Sequence, residues 1–240
     1  MEEFILTNDI TENNKWQEEQ KSLFLSMYGI KENESIDMDG KILRLHPNVF
    51  SPKHFPESRW YASTLANKIV KKGESFLEIG AGSGISSLYV SEIGANVTSV
   101  DINPDAVEIT KLNFKLNKLE SNVFQSDIYN SLPNGSKYKY IFWNHPWQVS
   151  NESVIQELRS EKTLDQGYIL LTRYISESKK YLTDDGFLLL GTCNFAKIEQ
   201  IIQIADRLGY KIVIMEKGSA SLNQIAGVNE TYFILKFVPL

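Results

Sequence analysis

The stretch FLEIGAGSGIS, Phe76 to Ser86, sets the tightest limit on the fold. A run of strand-forming residues stops at Gly80. Gly82 and Gly84 then lead into a segment from Ile85 to Ile93 that reads as a helix. A glycine turn between strand and helix belongs to a parallel α/β sheet, in the crevice beyond the carboxyl ends of the strands, where ligands bind. The flanking pattern agrees. Further strands are expected at NVTSV, NVFQS, KYIFW, GFLLLGT, KIVIM and TYFILKFV. Helices are expected at the segment carrying Trp60, Tyr61, Leu65 and Ile69, at NPDAVEITKLNFKLN, at LLTRYISESKKYL and at FAKIEQIIQIADRLG. Asn103 is placed to cap the second of these, with Pro104 in its first turn. Only a polar loop, Glu216 to Glu230, separates the last two strands, so the final strand is expected antiparallel to its neighbour. The expectation is a doubly wound, Rossmann-like α/β sheet.

The region before Glu57 has a different character. Trp16, Leu23, Phe24 and Met27 fall on one helical stripe that Gly29 can end. SIDMDGKILRL reads as a hairpin turning at Asp39-Gly40. Pro47, Pro52 and Pro56 mark a linker. Residues 1–56 are therefore read as an N-terminal extension and 57–240 as the main domain. Residues 1–60 carry 11 acidic and 7 basic side chains, most of the chain's net charge of −5. Such a balance does not favour a broad electrostatic grip on nucleic acid. No apolar stretch approaches the roughly 20 residues that span a bilayer. The acidic start MEEFILTNDITENN lacks the pattern of a secretion signal. With Cys193 as the one cysteine, no internal disulfide forms, which fits a reducing, cytoplasmic setting. No metal-ligating pattern stands out.

The ligand class follows from the company of the glycines. A dinucleotide turn reads G-x-G-x-x-G and seats a pyrophosphate on the helix N-terminus. This turn reads G-x-G-x-G and is preceded by the carboxylate of Glu78, which suits a cationic ligand better than a phosphate. S-adenosyl-L-methionine (SAM) carries an ammonium, a sulfonium and no phosphate. Asp101 ends the next strand, where its carboxylate can accept from both ribose hydroxyls. Asp127 ends the third, with the backbone of Ile128 beside it, where an adenine amino group can be held.

These residues, Glu78-Ile-Gly-Ala-Gly-Ser-Gly84, Val100-Asp101-Ile102-Asn103 and Ser126-Asp127-Ile128, resemble the class I SAM-dependent methyltransferases from about Pro47 onward. The resemblance implies a seven-stranded sheet with an antiparallel last strand and SAM as cofactor. It places Glu78, Gly80, Ala81, Gly82, Gly84, Asp101, Ile102, Asp127, Ile128 and Asn144 around that cofactor. In that family the fourth strand ends opposite the transferable methyl group. Members acting on planar nitrogens carry Asn-Pro-Pro-Tyr or a variant there, and Asn144-His145-Pro146-Trp147 is similar to it. The linker HPNVFSPKHFPESR and the run DQGYILLTRYISESKKYLTDDGFLLL resemble the HemK-like and small-domain methyltransferases.

The chemistry of a planar nitrogen explains the residue types. Its lone pair is delocalised, and two acceptors holding its N–H bonds draw it toward an attacking geometry. The Asn144 side-chain oxygen and the backbone carbonyl of residue 145 can be those acceptors, with Pro146 keeping residue 145 extended. Trp147 offers a flat face to a planar or cationic substrate, or serves as core packing. His145 replaces the first proline of the pattern. Either only its backbone is used, or it is a general base. The implied activity is N-methylation of a glutamine-like amide in a protein or of a small metabolite. Two alternatives stand beside it: an adenine methyltransferase acting on RNA or DNA, and a non-catalytic SAM-binding protein. The polar stretch from Gln148 to Gln166 reads as a long loop, either a lid or a solvated insertion.

Overall fold

The computed structural model describes residues 10–120, 122–149, 164–221 and 229–240. Helix α1, Ile10–Met27, buries Trp16, Phe24 and Met27 of the expected stripe and leaves Leu23 partly exposed. The hairpin follows as strands β1 (Ser35–Met38) and β2 (Lys41–Arg44). Asp39 and Gly40 both take positive φ, +55° and +79°, which matches the twist of a two-residue hairpin. Helix α2, Pro56–Thr64, opens on its proline and passes into a π-helical turn at Leu65–Ile69.

The main sheet is built from β3 (Ser75–Ile79), β4 (Asn96–Asp101), β5 (Asn122–Gln125), β6 (Tyr138–Asn144), β7 (Leu182–Cys193), β8 (Tyr210–Ser221) and β9 (Asn229–Pro239). Helices α3 (Ile85–Glu92), α4 (Pro104–Leu116), α5 (Ile169–Ser178) and α6 (Ile198–Arg207) alternate with the strands. The order β5-β4-β3-β6-β7-β9-β8 makes seven strands, as expected. β3 runs parallel to both β4 and β6, and β9 runs antiparallel to β8. The first half of the sheet reverses order at β3–β6, the kind of switch that opens a crevice at the strand ends.

Two strand boundaries differ most from the sequence reading. The polar loop between the last strands is shorter than Glu216 to Glu230, because β8 continues to Ser221. Residues 216–221 have little strand propensity of their own, but they pair in register with Asn229–Ile234 of β9 after a bulge between Ile214 and Glu216. Strand pairing overrides local preference there. β7 likewise starts at Leu182 rather than Gly186.

Packing divides the chain into two compact units. One comprises Ser26–Trp143 and Glu177–Leu188, the other Met1–Leu25, Asn144–Ser176 and Leu189–Leu240. The first has a core of Phe76, Leu77, Leu88, Val100, Ile141 and Phe142. In the second, Ile198, Ile201, Ile204 and Ala205 form the buried stripe of α6, and Leu189, Leu190, Phe233 and Leu235 are fully buried strand residues.

Candidate active site

The glycine turn lies in the first unit. Gly80, Gly82 and Gly84 all take positive φ. A Cβ on Gly80 would lie 2.8 Å from Nε1 of Trp143, and one on Gly84 would lie 2.7 Å from Thr110 Cγ2. At Gly82 the nearest atom is the Phe50 carbonyl at 3.8 Å, so there only the backbone conformation demands glycine. The turn is held from below. Ala81 N–H donates to the Val100 carbonyl at 3.0 Å, and Gly84 N–H donates to the Ala81 carbonyl at 2.8 Å.

The three expected carboxylates sit at the ends of β3 and β4 and just beyond β5, in differing surroundings. Glu78 is buried and accepts from the backbone N–H of Ser87 at 3.0 Å and from the Ser87 hydroxyl. Ser99 in turn donates to Ser87 at 2.8 Å. Burial pushes the Glu78 carboxyl up to about 7, against the opposing pull of those serine hydrogen bonds. Asp101 is half-buried and spreads its two oxygens over the turn. Oδ2 accepts from Gly82 N–H at 2.8 Å and Oδ1 from Asn103 N–H at 2.9 Å. Asp127 is half-buried beside Asn130. The next residue, Ile128, is buried with φ of +51°, a conformation rare for a β-branched side chain and found where function holds the backbone. Ile102, after Asp101, is 56% exposed, an apolar surface among carboxylates.

Asn144 is the last residue of β6 and belongs to the second unit. Its Oδ1 is buried and has no hydrogen-bond partner among the described residues. His145 is buried, with Nε2 3.2 Å from Thr192 Oγ1 and its ring edge-on to Tyr168. Burial drives its pKa down to about 3. Trp147 is also buried. Its ring lies 6.3 Å from that of Trp16, which stacks on Phe195 at 4.9 Å. The Tyr168 hydroxyl donates to the Trp147 carbonyl at 2.9 Å. Past the motif, Asp165 N–H donates to the Gln148 carbonyl at 2.9 Å. The rest of the expected loop, 150–163, lies outside the described residues.

The methyltransferase small domain model matches residues 40–219, most of the chain. The chain belongs to the methyltransferase small domain family. It is similar to a Methanocaldococcus jannaschii protein named for protein N5-glutamine methyltransferase activity, 28% identical over 198 residues that cover 81% of this chain and 97% of that one. It is 25% identical over 193 residues to the release factor glutamine methyltransferase of Aliivibrio fischeri, covering 76% and 67% of the two chains. The structure of SMU.776, a methyltransferase complexed with S-adenosylhomocysteine, superposes with a TM-score of 0.62 at 15% identity, covering 86% of this chain and 56% of that one. SAM is the cofactor of this small-domain methyltransferase, and methyl transfer is its reaction.

The residues present fit that cofactor. The segments 78–86, 100–105 and 125–131 contain three strand-end carboxylates and no lysine or arginine. Acceptor-only groups suit hydroxyl, amine and ammonium donors and repel a pyrophosphate. The exposed face of Ile102 suits a flat apolar ring. Gly80, Ala81, Gly82 and Gly84 would form the wall of the cradle, Asp101 would take the ribose, and Asp127 with the Ile128 backbone the adenine edge.

Glu78 is expected to make cofactor affinity depend on pH. With a folded-state pKa raised from 4.5 to about 7, it binds a proton in the folded protein that the unfolded chain releases. Its contribution to stability is therefore full below about 4.5 and lost as pH rises through about 7. A cationic ligand favours the ionised form, so SAM affinity is expected to rise between pH 6 and 8 with release of a proton. Calorimetry in buffers of different ionisation enthalpy measures that release. Glu78→Gln is expected to flatten the pH dependence, and an unchanged slope would place the ammonium elsewhere.

Several residues of these surroundings carried no sequence signal. Trp16 Nε1–H donates to Glu230 Oε1 at 2.6 Å, although 214 residues separate them. Burial pushes the Glu230 carboxyl up to about 7. A long-range buried pair of this kind has no local pattern. Thr110 and Asn113 of α4 look like polar interruptions in a helix, yet both are fully buried against the glycine turn.

Proposed function

We propose that this methyltransferase transfers the methyl group of SAM to the side-chain nitrogen of a glutamine in a protein. The reading rests on the buried, unpartnered Oδ1 of Asn144 at the end of β6. A buried acceptor without a donor costs about 1–3 kcal/mol, a cost that a substrate N–H removes. A primary amide brings two such N–H groups. Asn144 Oδ1 takes one and the backbone carbonyl of His145 the other, with Pro146 holding residue 145 extended. With its pKa near 3, the His145 imidazole is neutral at physiological pH and a poor match for a general base there, which favours the backbone role. Trp147 packs against Trp16 and anchors the motif rather than offering an open stacking face. SAM supplies a methyl group already activated by its sulfonium, and the chain's part is to orient the nitrogen and exclude water.

The relatives named for glutamine methylation support an amide acceptor. The acidic region 1–60 weighs against RNA or DNA as substrate, since phosphate contacts dominate such binding. We take 57–240 as the catalytic domain and 1–56 as an extension that serves it, in a cytoplasmic setting. No helix among the described residues is long and apolar enough to cross a membrane. Incubation with labelled SAM and cell extract tests the acceptor. Label is expected in protein, at a glutamine side chain located by mass spectrometry. Label in RNA or small molecules alone would overturn the reading.

A further inference from the structure

The N-terminal hairpin is tied to the cofactor turn by one buried side chain. Asn113 of α4 has no exposure to solvent. Its Nδ2 donates to the Ser83 carbonyl inside the glycine turn at 2.9 Å and to the Arg44 carbonyl of β2 at 3.2 Å. Its Oδ1 accepts from the Arg44 N–H at 2.7 Å. Four residues on, at the C-cap of α4, Asn117 repeats the pattern on Ile42, accepting from its N–H at 3.0 Å and donating to its carbonyl at 2.8 Å. The two amides thus behave as a third strand against the outer edge of β2. Only Asn113 also reaches the turn. Thr110, one helical turn before it, donates to the Gly82 carbonyl at 3.0 Å. α4 therefore holds two successive carbonyls of the glycine turn.

The hairpin is latched on its other side too. Tyr89 of α3 donates to Asp39, and Lys41 pairs with Glu92 of α3 at 2.7 Å while its ammonium sits 4.1 Å over the Tyr89 ring. β1–β2 thus bridges the two helices that flank the cofactor turn.

We propose that Asn113 is a positioning residue for cofactor binding, and that the N–H and carbonyl of Arg44 together orient it. An amide side chain can flip, exchanging its donor and acceptor ends. The Arg44 peptide admits no such exchange: its N–H would face Nδ2, donor against donor, and its carbonyl and that of Ser83 would face Oδ1, acceptor against acceptor. Oδ1 is therefore held on the Arg44 N–H, and Nδ2 is shared between the Arg44 and Ser83 carbonyls. A trans peptide points its N–H opposite its carbonyl, so fixing the carbonyls of Gly82 and Ser83 toward α4 also fixes the direction of the following N–H groups. The extension would then act on the cofactor turn through hydrogen bonds rather than through charge. This inference rests on the glycine turn being the SAM site.

Two substitution pairs and one control test it, with SAM affinity read by calorimetry and folding by thermal melting. Asn113→Leu and Asn117→Leu both cost the hairpin its ladder, but only the first frees Ser83. Asn113→Leu is expected to weaken SAM about fivefold or more, and Asn117→Leu less than about twofold. Arg44→Pro removes the N–H, whereas Arg44→Ala keeps it and loses only the side chain, with its bonds to Ser35 and Asn33. That N–H faces Asn113 and makes no bond to β1, so proline breaks no strand ladder; its Cδ takes the place of the N–H and displaces Asn113 Oδ1. The proline variant is expected to weaken SAM by a similar factor, and the alanine variant to bind as wild type. If Asn113→Leu does not fold, the Arg44 pair decides alone. Equal affinities within each pair, with only melting temperature changed, would reduce Asn113 to a structural tie and overturn the proposal. Gly80→Ala separates the two readings: if it too leaves SAM binding intact, the glycine turn is not the cofactor site.

Discussion

Asn144→Ala is expected to lower the catalytic rate about a hundredfold or more while leaving SAM affinity nearly unchanged, the pattern of a contact made chiefly in the transition state. The wild-type oxygen is buried without a donor among the described residues, so its removal takes no hydrogen bond from them. Stability is therefore expected to hold or rise slightly, and a fall in rate cannot be ascribed to unfolding. Asn144→Asp sharpens the test. It keeps an acceptor of the same size and adds a negative charge. For a neutral amide acceptor that charge stabilises bound SAM more than the transition state, in which the sulfonium charge is fading, so activity stays low. A protonated amine would instead gain from the carboxylate and retain much of its rate. His145→Ala distinguishes backbone from side-chain use. Its imidazole bonds Thr192 and is neutral at physiological pH, so a variant that folds is expected to keep the shape of the neutral pH–rate profile. A profile that loses its neutral limb would restore His145 as a base. Wild-type turnover by Asn144→Ala would make the tetrapeptide a structural turn.

The parts of the site legible in the sequence are those that local physics dictates. A glycine turn after an apolar strand declares positive φ, and carboxylates at successive strand ends announce themselves because strand ends are themselves visible. NHPW stands out because an apolar strand ends on groups that ordinary turns do not need. Orientation was not legible. Trp147 reads as a stacking face, yet its ring is buried against Trp16, a residue that the chain brings from more than a hundred positions away. Nothing near Trp147 encodes that neighbour. His145 has a pKa near neutrality in any sequence, and only its burial moves it out of the useful range. β8 shows the same limit in the fold. Residues 216–221 look like loop because their own propensities are weak, and they become strand because β9 offers a ladder in register. Asn113 and Asn117, spaced as i and i+4, were the one overlooked signal with a pattern, since two carboxamides one turn apart on a helix can bond a strand edge.

Asp101→Ala is expected to weaken both SAM and S-adenosylhomocysteine about tenfold or more, with little change in rate once SAM is saturating. Two losses combine. The carboxylate no longer accepts from the ribose hydroxyls, and the turn loses its own support, since Asp101 holds the N–H groups of Gly82 and Asn103 at 2.8 and 2.9 Å. Hydrogen bonds to a charged group contribute about 1.5–3 kcal/mol each, and about 1.4 kcal/mol is a tenfold change in affinity, so one bond lost without replacement accounts for the whole effect. Asp101→Asn separates the two losses poorly but informatively. Its single oxygen can serve Gly82 or Asn103, and its amide nitrogen then faces the other N–H, donor against donor. Affinity is therefore expected to fall nearly as far as with alanine, although size and shape are kept. A mere requirement for bulk would predict rescue by asparagine. The cofactor product matters too, because S-adenosylhomocysteine has the same ribose but no sulfonium. Equal weakening of both ligands points to the ribose and the turn, whereas selective weakening of SAM would mean that Asp101 acts through charge on the sulfonium. Unchanged affinity for both in a folded variant would remove Asp101 from the cofactor site.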